Sequence, residues 1–464
     1  GFAGWLFILV KAIETRAGRF DFSGYYAAAR ALRLDPHANI YSPAVIAANA
    51  IAGHVLAPPT MLYVYTPLPA LLLAPLTAFP FPVAANIFLA VNMLVWLLCM
   101  LLIAREVRHL LGTSLATRNS VSHGPLAKLL VDPAPLVALA VCAPLFFLGR
   151  PGVWTLGNGQ INFLVLLPLA SVPWLTRRGS EYGVGVAIAV ATMLKLTPGV
   201  LLLYLLLRRR WHALGAALVS LAVLSALCLI IVGPHVFFAF PATTLHIGSR
   251  DSLEAHNEAL VAPVLFALTS ASPALAPTAR MCEYVVLGLL AVELGVILWR
   301  SRPIGAIHLS ADLLRREALA YAMALSALVL LSPTAWAHHY VWLLPAAAIV
   351  LALAIRAVAI QPAYARDGRM LFVLLVGAIV AGVLLNLPLP KGWDTDPTVP
   401  GLLFGLPLRP WLQELRPLGG LLVVALAATL LLRTRATTTP ARKASWIRPH
   451  ATSELPAPLP ASQR

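Results

Sequence analysis

Residues 83–104 and 213–233 each continue for more than twenty positions without one acidic or basic side chain. A helix needs about twenty apolar residues to cross the ~30 Å hydrocarbon core of a bilayer, so these runs constrain the fold more than any motif. Backbone polar groups inside lipid must bond within their own segment, which leaves the helix as the form such a run can take. Shorter apolar runs recur along the 464 residues, of which 60% are hydrophobic and only 11% charged. The expected fold class is an all-α polytopic membrane protein.

The formal charge of +16 invites a nucleic-acid reading, but its placement argues against one. Basic residues come in short clusters at the ends of apolar runs: Arg177-Arg178, Arg208-Arg209-Arg210, Arg315-Arg316, and Arg433 with Arg435. Clusters so placed orient helices in a bilayer, with the basic ends in the cytoplasm. Read this way, the sequence predicts about twelve transmembrane helices. They lie near 1–13, 83–104, 134–149, 160–176, 182–194, 197–207, 213–233, 281–299, 317–332, 339–356, 370–387 and 418–432. The stretch 67–79, broken by Pro69 and Pro75, is too short to span and is expected as a buried or interfacial segment.

Residues 183–207 read either as one long span with Lys195 at its middle or as two short arms meeting at Lys195-Leu196-Thr197-Pro198. With the hairpin, sixteen downstream Lys and Arg fall on the cytoplasmic side and five on the other. One long span inverts that ratio, so the hairpin is preferred. Lys195 then lies within the membrane envelope, facing a polar cavity open to the outside. The large outer segments become 14–66, 150–159, 234–280 and 388–417, with a shorter one at 333–338. Residues 1–433 form one transmembrane domain, and 434–464, rich in Pro, Thr and Arg, a disordered cytoplasmic tail. The chain starts at Gly1, and its first run has about half the length of a crossing, so the beginning of that helix is expected to be missing. Cys99, Cys142, Cys228 and Cys282 have no close spacing and read as small buried hydrophobes, not as a disulfide framework or a metal site.

Four places carry chemistry. Asp21 follows the first apolar run, where a carboxylate at a membrane surface is costly. Either it caps a helix beginning at Phe22, through the amides of Gly24 or Tyr25, or it serves as a base; one residue can do both. Residues 22–34 place Tyr25, Tyr26, Ala29, Arg30 and Arg33 on a mixed surface and read as a helix along the membrane interface, with a second over 42–52. Lys195, at membrane depth, either snorkels or holds an anion such as a lipid phosphate. The string Leu156-Gly157-Asn158-Gly159-Gln160-Ile161-Asn162 combines a glycine turn with neutral bonding groups on Asn158 and Gln160; a bare connection is the alternative. In Ser332-Pro333-Thr334-Ala335-Trp336-Ala337-His338-His339-Tyr340, adjacent histidines on a helix point about 100° apart. No His or carboxylate stands at i+4, so a zinc site is rejected. One of the pair contacts phosphate or acceptor, or both are hydrogen-bonded interfacial residues. The polar loop 249–258 either touches substrate or, the preferred reading, is solvated, and the acidic loop holding Trp393, Asp394 and Asp396 is as ambiguous.

Taken in order, Asp21-Phe22 with Tyr25-Tyr26-Ala27, Asn39-Ile40-Tyr41, Tyr65-Thr66-Pro67-Leu68, Gly159-Gln160-Ile161-Asn162, Lys195-Leu196-Thr197-Pro198, and Leu331-Ser332-Pro333 through His338-His339 resemble glycosyltransferase family 87. Thr66 stands where that family more often has proline. The resemblance runs from about residue 20 to 350 and implies a GT-C-type fold with extracytoplasmic interfacial helices, in a bacterial plasma membrane. It implies an inverting hexosyltransferase that moves a sugar, mannose foremost, from a polyprenyl-phosphate donor to a glycolipid or glycan acceptor at the outer face. Asp21 would be the base, and Lys195 with His338 or His339 would hold the donor phosphate. Tyr26, Arg30, Asn158, Gln160 and Tyr65 would contact sugar or acceptor. No cofactor and no metal are implied, since these cations would neutralise the phosphate; membrane lipids are the other expected partners. A transporter or flippase of a lipid-linked sugar is the alternative from another class, and a non-catalytic envelope-assembly subunit a further one.

Overall fold

In the computed structural model of the chain, the described residues are 20–55, 63–111, 149–251, 257–262, 265, 269, 272–303, 310–360, 368–386, 402–403, 406–407 and 415–436. They are helical apart from connecting loops and a two-residue ladder that pairs Leu402–Leu403 with Leu406–Pro407. Three short helices come first: α1 (Phe20–Leu34), α2 (Pro43–Ala52) and α3 (Pro67–Leu73), the last continuing as a 3-10 turn over Ala74–Ala78. Then come α4 (Phe81–Leu111), α5 (Arg150–Asn158), α6 (Asn162–Arg177), α7 (Glu181–Leu194) and α8 (Leu201–Leu207). The chain goes on through α9 (Trp211–Asp251), α10 (Ala276–Arg300), α11 (Ala311–Leu330), α12 (Leu344–Ile360), α13 (Gly368–Asn386) and α14 (Leu415–Ala436). A 3-10 turn, Ala337–Leu343, leads into α12.

Ten of the expected apolar runs coincide with these helices; 1–13 and 134–149 lie outside the described residues, Gly149 excepted. Among the described residues, four helices are long and apolar enough to cross a membrane: Phe81–Leu111, Trp211–Thr244, Ala276–Arg300 and Ala337–Ala357. Their surroundings differ. The apolar window of the last is 78% buried by protein, whereas those of Trp211–Thr244 and Ala276–Arg300 are 17% and 22% buried. The centre is therefore the start of α12 together with α11, which is buried from Glu317 through Leu330. The periphery is α9 and α10, which turn Val223, Ile230, Leu289 and Val292 outward, as helices facing lipid do.

The hairpin at Lys195 forms. Lys195 is extended, with φ −154° and ψ 128°, and stops α7. Beyond α8, Arg210 is ion-paired with Glu181 in the first turn of α7, with Nε 3.0 Å from Oε2. The chain has returned to the end from which α7 set out.

Four expectations need correction. Residues 150–158, expected as part of an outer loop, are helix, and only Gly159, left-handed at φ 68°, makes the turn. The segment after 233 is not a loop at its start: α9 kinks at Gly233 (φ 77°, ψ 163°) and resumes as far as Asp251, because the kink places Pro234 where it need not supply a helical N–H. The segment 22–34 is the expected helix, but its mixed surface is covered by protein. Phe22, Tyr25, Tyr26 and Ala27 to Ala29 are buried, with Phe22 stacked on Phe88 at 4.7 Å and Tyr26 edge-on to Phe81 at 5.3 Å. Finally, Asn257 and Glu258 of the loop read as solvated are buried. Asn257 Nδ2 donates to Pro333 O at 2.8 Å, and Glu258 is ion-paired with Arg416 at the start of α14. Residues 252–256, Trp393, Asp394 and Asp396 lie outside the described residues.

Candidate active site

Five segments converge at one end of α6, α7 and α8: the start of α1, the start of α3, the α5–α6 connection, the Lys195 break and the 3-10 turn before α12. The connection is shaped locally. Gly159 ends α5 in the left-handed region, which glycine enters without strain, and Gln160 N donates back to Thr155 O at 2.9 Å. Gln160 is thereby turned inward, where Nε2 donates to Asp21 Oδ2 at 2.7 Å. Its Oε1 accepts from Tyr25 OH at 3.0 Å and from Tyr65 OH at 3.4 Å.

Asp21 lies in the first turn of α1. Its carboxylate bonds across 139 residues to Gln160 and caps neither Gly24 nor Tyr25 among the described residues. Burial raises its pKa to about 6, because the anion loses its water. Hydrogen bonding from Gln160, the Lys195 charge and hydrogen bonding from Asn158 each pull the other way.

Lys195 is also buried. Its Nζ donates to Asn162 Oδ1 at 3.0 Å and lies 2.8 Å from His339 Nε2. It sits 5.2 Å from the Trp342 ring centroid and 5.5 Å from that of Tyr65, within cation–π range. His339 stacks on Trp342 at 5.3 Å with 8° between the planes. His338 stands edge-on to His339 at 4.6 Å, and its buried Nδ1 has no partner among the described residues. Asn162 ties these parts together: Nδ2 donates to His338 O at 3.0 Å, and its own backbone oxygen accepts from Trp342 Nε1 at 3.3 Å. Thr66 donates to Met193 O, a bond from α3 to the turn before Lys195 that proline could not make.

Asp21 and Lys195 feel one another's charge, yet the ion pairs among the described residues do not include one between them. The site therefore offers a proton acceptor and a cation side by side, neither spent on the other, between the aromatic faces of Tyr65 and Trp342.

Of the residues singled out from sequence, Asp21, Asn158, Gln160, Tyr65, Lys195 and His339 meet here, with His338 alongside. Tyr26 and Arg30 share no hydrogen bond with this group. Tyr26 OH donates to Phe79 O at 2.9 Å and Arg30 Nη1 to Asn49 Oδ1 at 2.9 Å, bonds that hold α1 against its neighbours. Tyr25, Asn162 and Trp342 were not singled out. Tyr25 is four residues from Asp21 on one helical face, a spacing that could have found it. Trp342 follows His339 by three, which a 3-10 turn eclipses. Asn162 was named only as a member of the glycine string and of the family motif Gly159-Gln160-Ile161-Asn162, with no role of its own.

A buried acid and a buried lysine packed among apolar helices long enough to cross a bilayer are those of a membrane-integral protein with a polar cluster inside it. The model of glycosyltransferase family 87 matches residues 63–333, more than half of the chain, and the chain belongs to that family. The match takes in Tyr65, Asn158, Gln160 and Lys195; Asp21, His338 and His339 fall outside it. Over 294 residues the chain is 29% identical to the polyprenol-phosphate-mannose-dependent alpha-(1-2)-phosphatidylinositol mannoside mannosyltransferase of Mycobacterium tuberculosis, covering 62% of this chain and 61% of the relative. The protein of the same description from Mycolicibacterium smegmatis is 27% identical over 302 residues, 63% of this chain and 62% of the relative. The chain thus spans less than two thirds of the length of the curated relatives it matches.

Proposed function

We propose that the protein is an inverting mannosyltransferase that takes its sugar from a polyprenyl-phosphate donor and delivers it to a glycolipid acceptor. The observation that carries this reading is the buried Asp21 carboxylate near a buried Lys195 that forms no ion pair with it among the described residues. The acceptor hydroxyl attacks the anomeric carbon, and its proton passes to Asp21. The new carbon–oxygen bond forms as the bond to phosphate breaks, and the electron pair leaves on polyprenyl phosphate. Lys195, with His338 or His339, holds that phosphate and offsets its growing charge. Tyr65 and Asn158 face the sugar or acceptor. One displacement inverts the anomeric centre, so a single carboxylate suffices.

The relatives' descriptions name a phosphatidylinositol mannoside, and an acceptor of that class is the proposal here. The reaction is proposed for the extracytoplasmic face of a bacterial plasma membrane, a reading supported by the charge pattern that turns the Lys195 end outward. The test is release of polyprenyl phosphate from synthetic polyprenyl-phosphate-mannose by full chain in nanodiscs, wild type beside Asp21→Asn. Release by wild type alone supports both transfer and the base. Equal release by both removes Asp21 from the chemistry, and none by either, across several acceptors, turns the reading toward transport.

A further inference from the structure

Gln160, on the α5–α6 connection, and Asn162, two residues on at the start of α6, are 1% and 0% exposed. Each aims a different half of its amide at a charge. Gln160 gives an N–H to the Asp21 carboxylate, and Asn162 gives its oxygen to the Lys195 ammonium. A carboxylate only accepts and an ammonium only donates, so the two charges dictate how both amides are turned. The far end of each amide is tied to a neutral partner: Tyr25 OH on Gln160 Oε1, the His338 carbonyl on Asn162 Nδ2. Both amides are held at two points by elements distant in sequence.

Opposite charges in a poorly hydrated site attract strongly, and the long lysine stem would let Lys195 swing toward Asp21. We propose that Gln160 and Asn162 are positioning residues that hold Asp21 and Lys195 apart, so that neither charge is spent on the other. The role rests on the transferase reading above and replaces the sugar contact expected of Gln160, whose acceptor oxygen is already taken. Keeping both groups ready before substrate arrives is the preorganisation that electrostatic catalysis requires.

The two amides serve different charges, so their removal has different consequences. Gln160→Leu should lower kcat roughly 10- to 100-fold, the usual cost of removing a group that orients a reacting one, with donor KM unchanged. It should also move the acid limb of the pH–rate profile upward, because the charged carboxylate loses a donor. Asn162→Leu should weaken polyprenyl phosphate binding roughly tenfold and leave the acid limb in place. Tyr25→Phe, which keeps the volume and removes the nearer of the two phenols that anchor the far end of Gln160, should shift the acid limb in the same direction by less. Two readouts need no turnover: polyprenyl phosphate affinity, and infrared titration of the Asp21 carboxyl, taken as wild type minus Asp21→Asn. If wild type transfers no sugar, the transferase reading falls, and these two still decide the positioning roles. An unmoved Asp21 midpoint in both Gln160→Leu and Tyr25→Phe, or the same parameter changed by Gln160→Leu and Asn162→Leu, overturns the inference.

Discussion

The two ends of α6, α7 and α8 handle charge in opposite ways. At the Arg177 end three arginines are met directly by carboxylates: Arg177 by Glu106 at 3.2 Å, Arg210 by Glu181, Arg208 by Glu317. At the other end, about 24 Å away along the 16 residues of α6 at 1.5 Å per residue, Asp21 and Lys195 are met by amides and aromatic faces. Direct pairing satisfies a charge and staples helices; pairing through neutral groups leaves the charge able to act. Arg208 shows the first use, donating also to Leu298 O at 3.2 Å and Ser301 Oγ at 3.0 Å, so that it ties α8 to α10 and α11. Lys195 shows the second.

Exchanging charge for a neutral group at each end should therefore separate activity from stability. The largest effect expected is from Asp21→Asn, which removes the proton acceptor and should cut sugar transfer by about 10²- to 10⁴-fold. Its thermal unfolding in detergent should match wild type, since the amide still reaches Gln160. At the other end, Arg208→Met leaves Glu317 buried without its partner and should cost about 3–5 kcal/mol. Adding Glu317→Leu should recover most of that loss, and turnover per folded molecule should not change in either variant. Loss of turnover with full stability in Arg208→Met would mean that the two ends do not divide the work this way.

Lys195→Gln comes next. It retains a donor for Asn162 but not the charge, and a hydrogen bond to a charged group contributes about 1.5–3 kcal/mol. Affinity for polyprenyl phosphate should fall by the corresponding 10- to 100-fold, with acceptor KM little altered. An unchanged donor affinity would make Lys195 a structural residue like Arg208. The pH dependence is gentler. Only ionised Asp21 accepts a proton, and its pKa is raised to about 6, so transfer should be half lost near that value on the acid side. It should fall about tenfold per pH unit below it. A carboxylate left in water would place the same limb near its ordinary value of about 3.9.

The paired end was the more legible in sequence. Clustered arginines at the ends of apolar runs predicted the hairpin around Lys195, because charge is too costly in lipid to lie anywhere but at an interface. What those arginines touch was not legible, since Glu106, Glu181 and Glu317 come from helices far along the chain. At the site, Asp21 and Lys195 stood out because an isolated charge in apolar sequence is rare. Asn162 and Tyr25 did not, because an amide or a phenol fits equally well in a loop or a core, and only tertiary packing aims it. The same limit hid what covers residues 22–34. Their mixed polar and aromatic surface suits a membrane interface, yet Tyr63, Phe81 and Phe88 are there to cover it.

The smallest effect expected at the site end is from Trp342→Phe. Trp342 does two things: its ring carries His339 and lies beneath Lys195, and its Nε1 donates to the Asn162 backbone at 3.3 Å. Phenylalanine keeps a ring and gives up that long, neutral bond. Such a bond contributes about 0.5 kcal/mol, the low end of the usual range, so donor affinity should fall only about two- to threefold. Trp342→Leu also removes the aromatic face, worth about another 0.5–2 kcal/mol against a desolvated cation, and should come closer to Lys195→Gln. Equal losses in the two variants would mean that the N–H anchoring Asn162, and not the aromatic face, holds Lys195 in place.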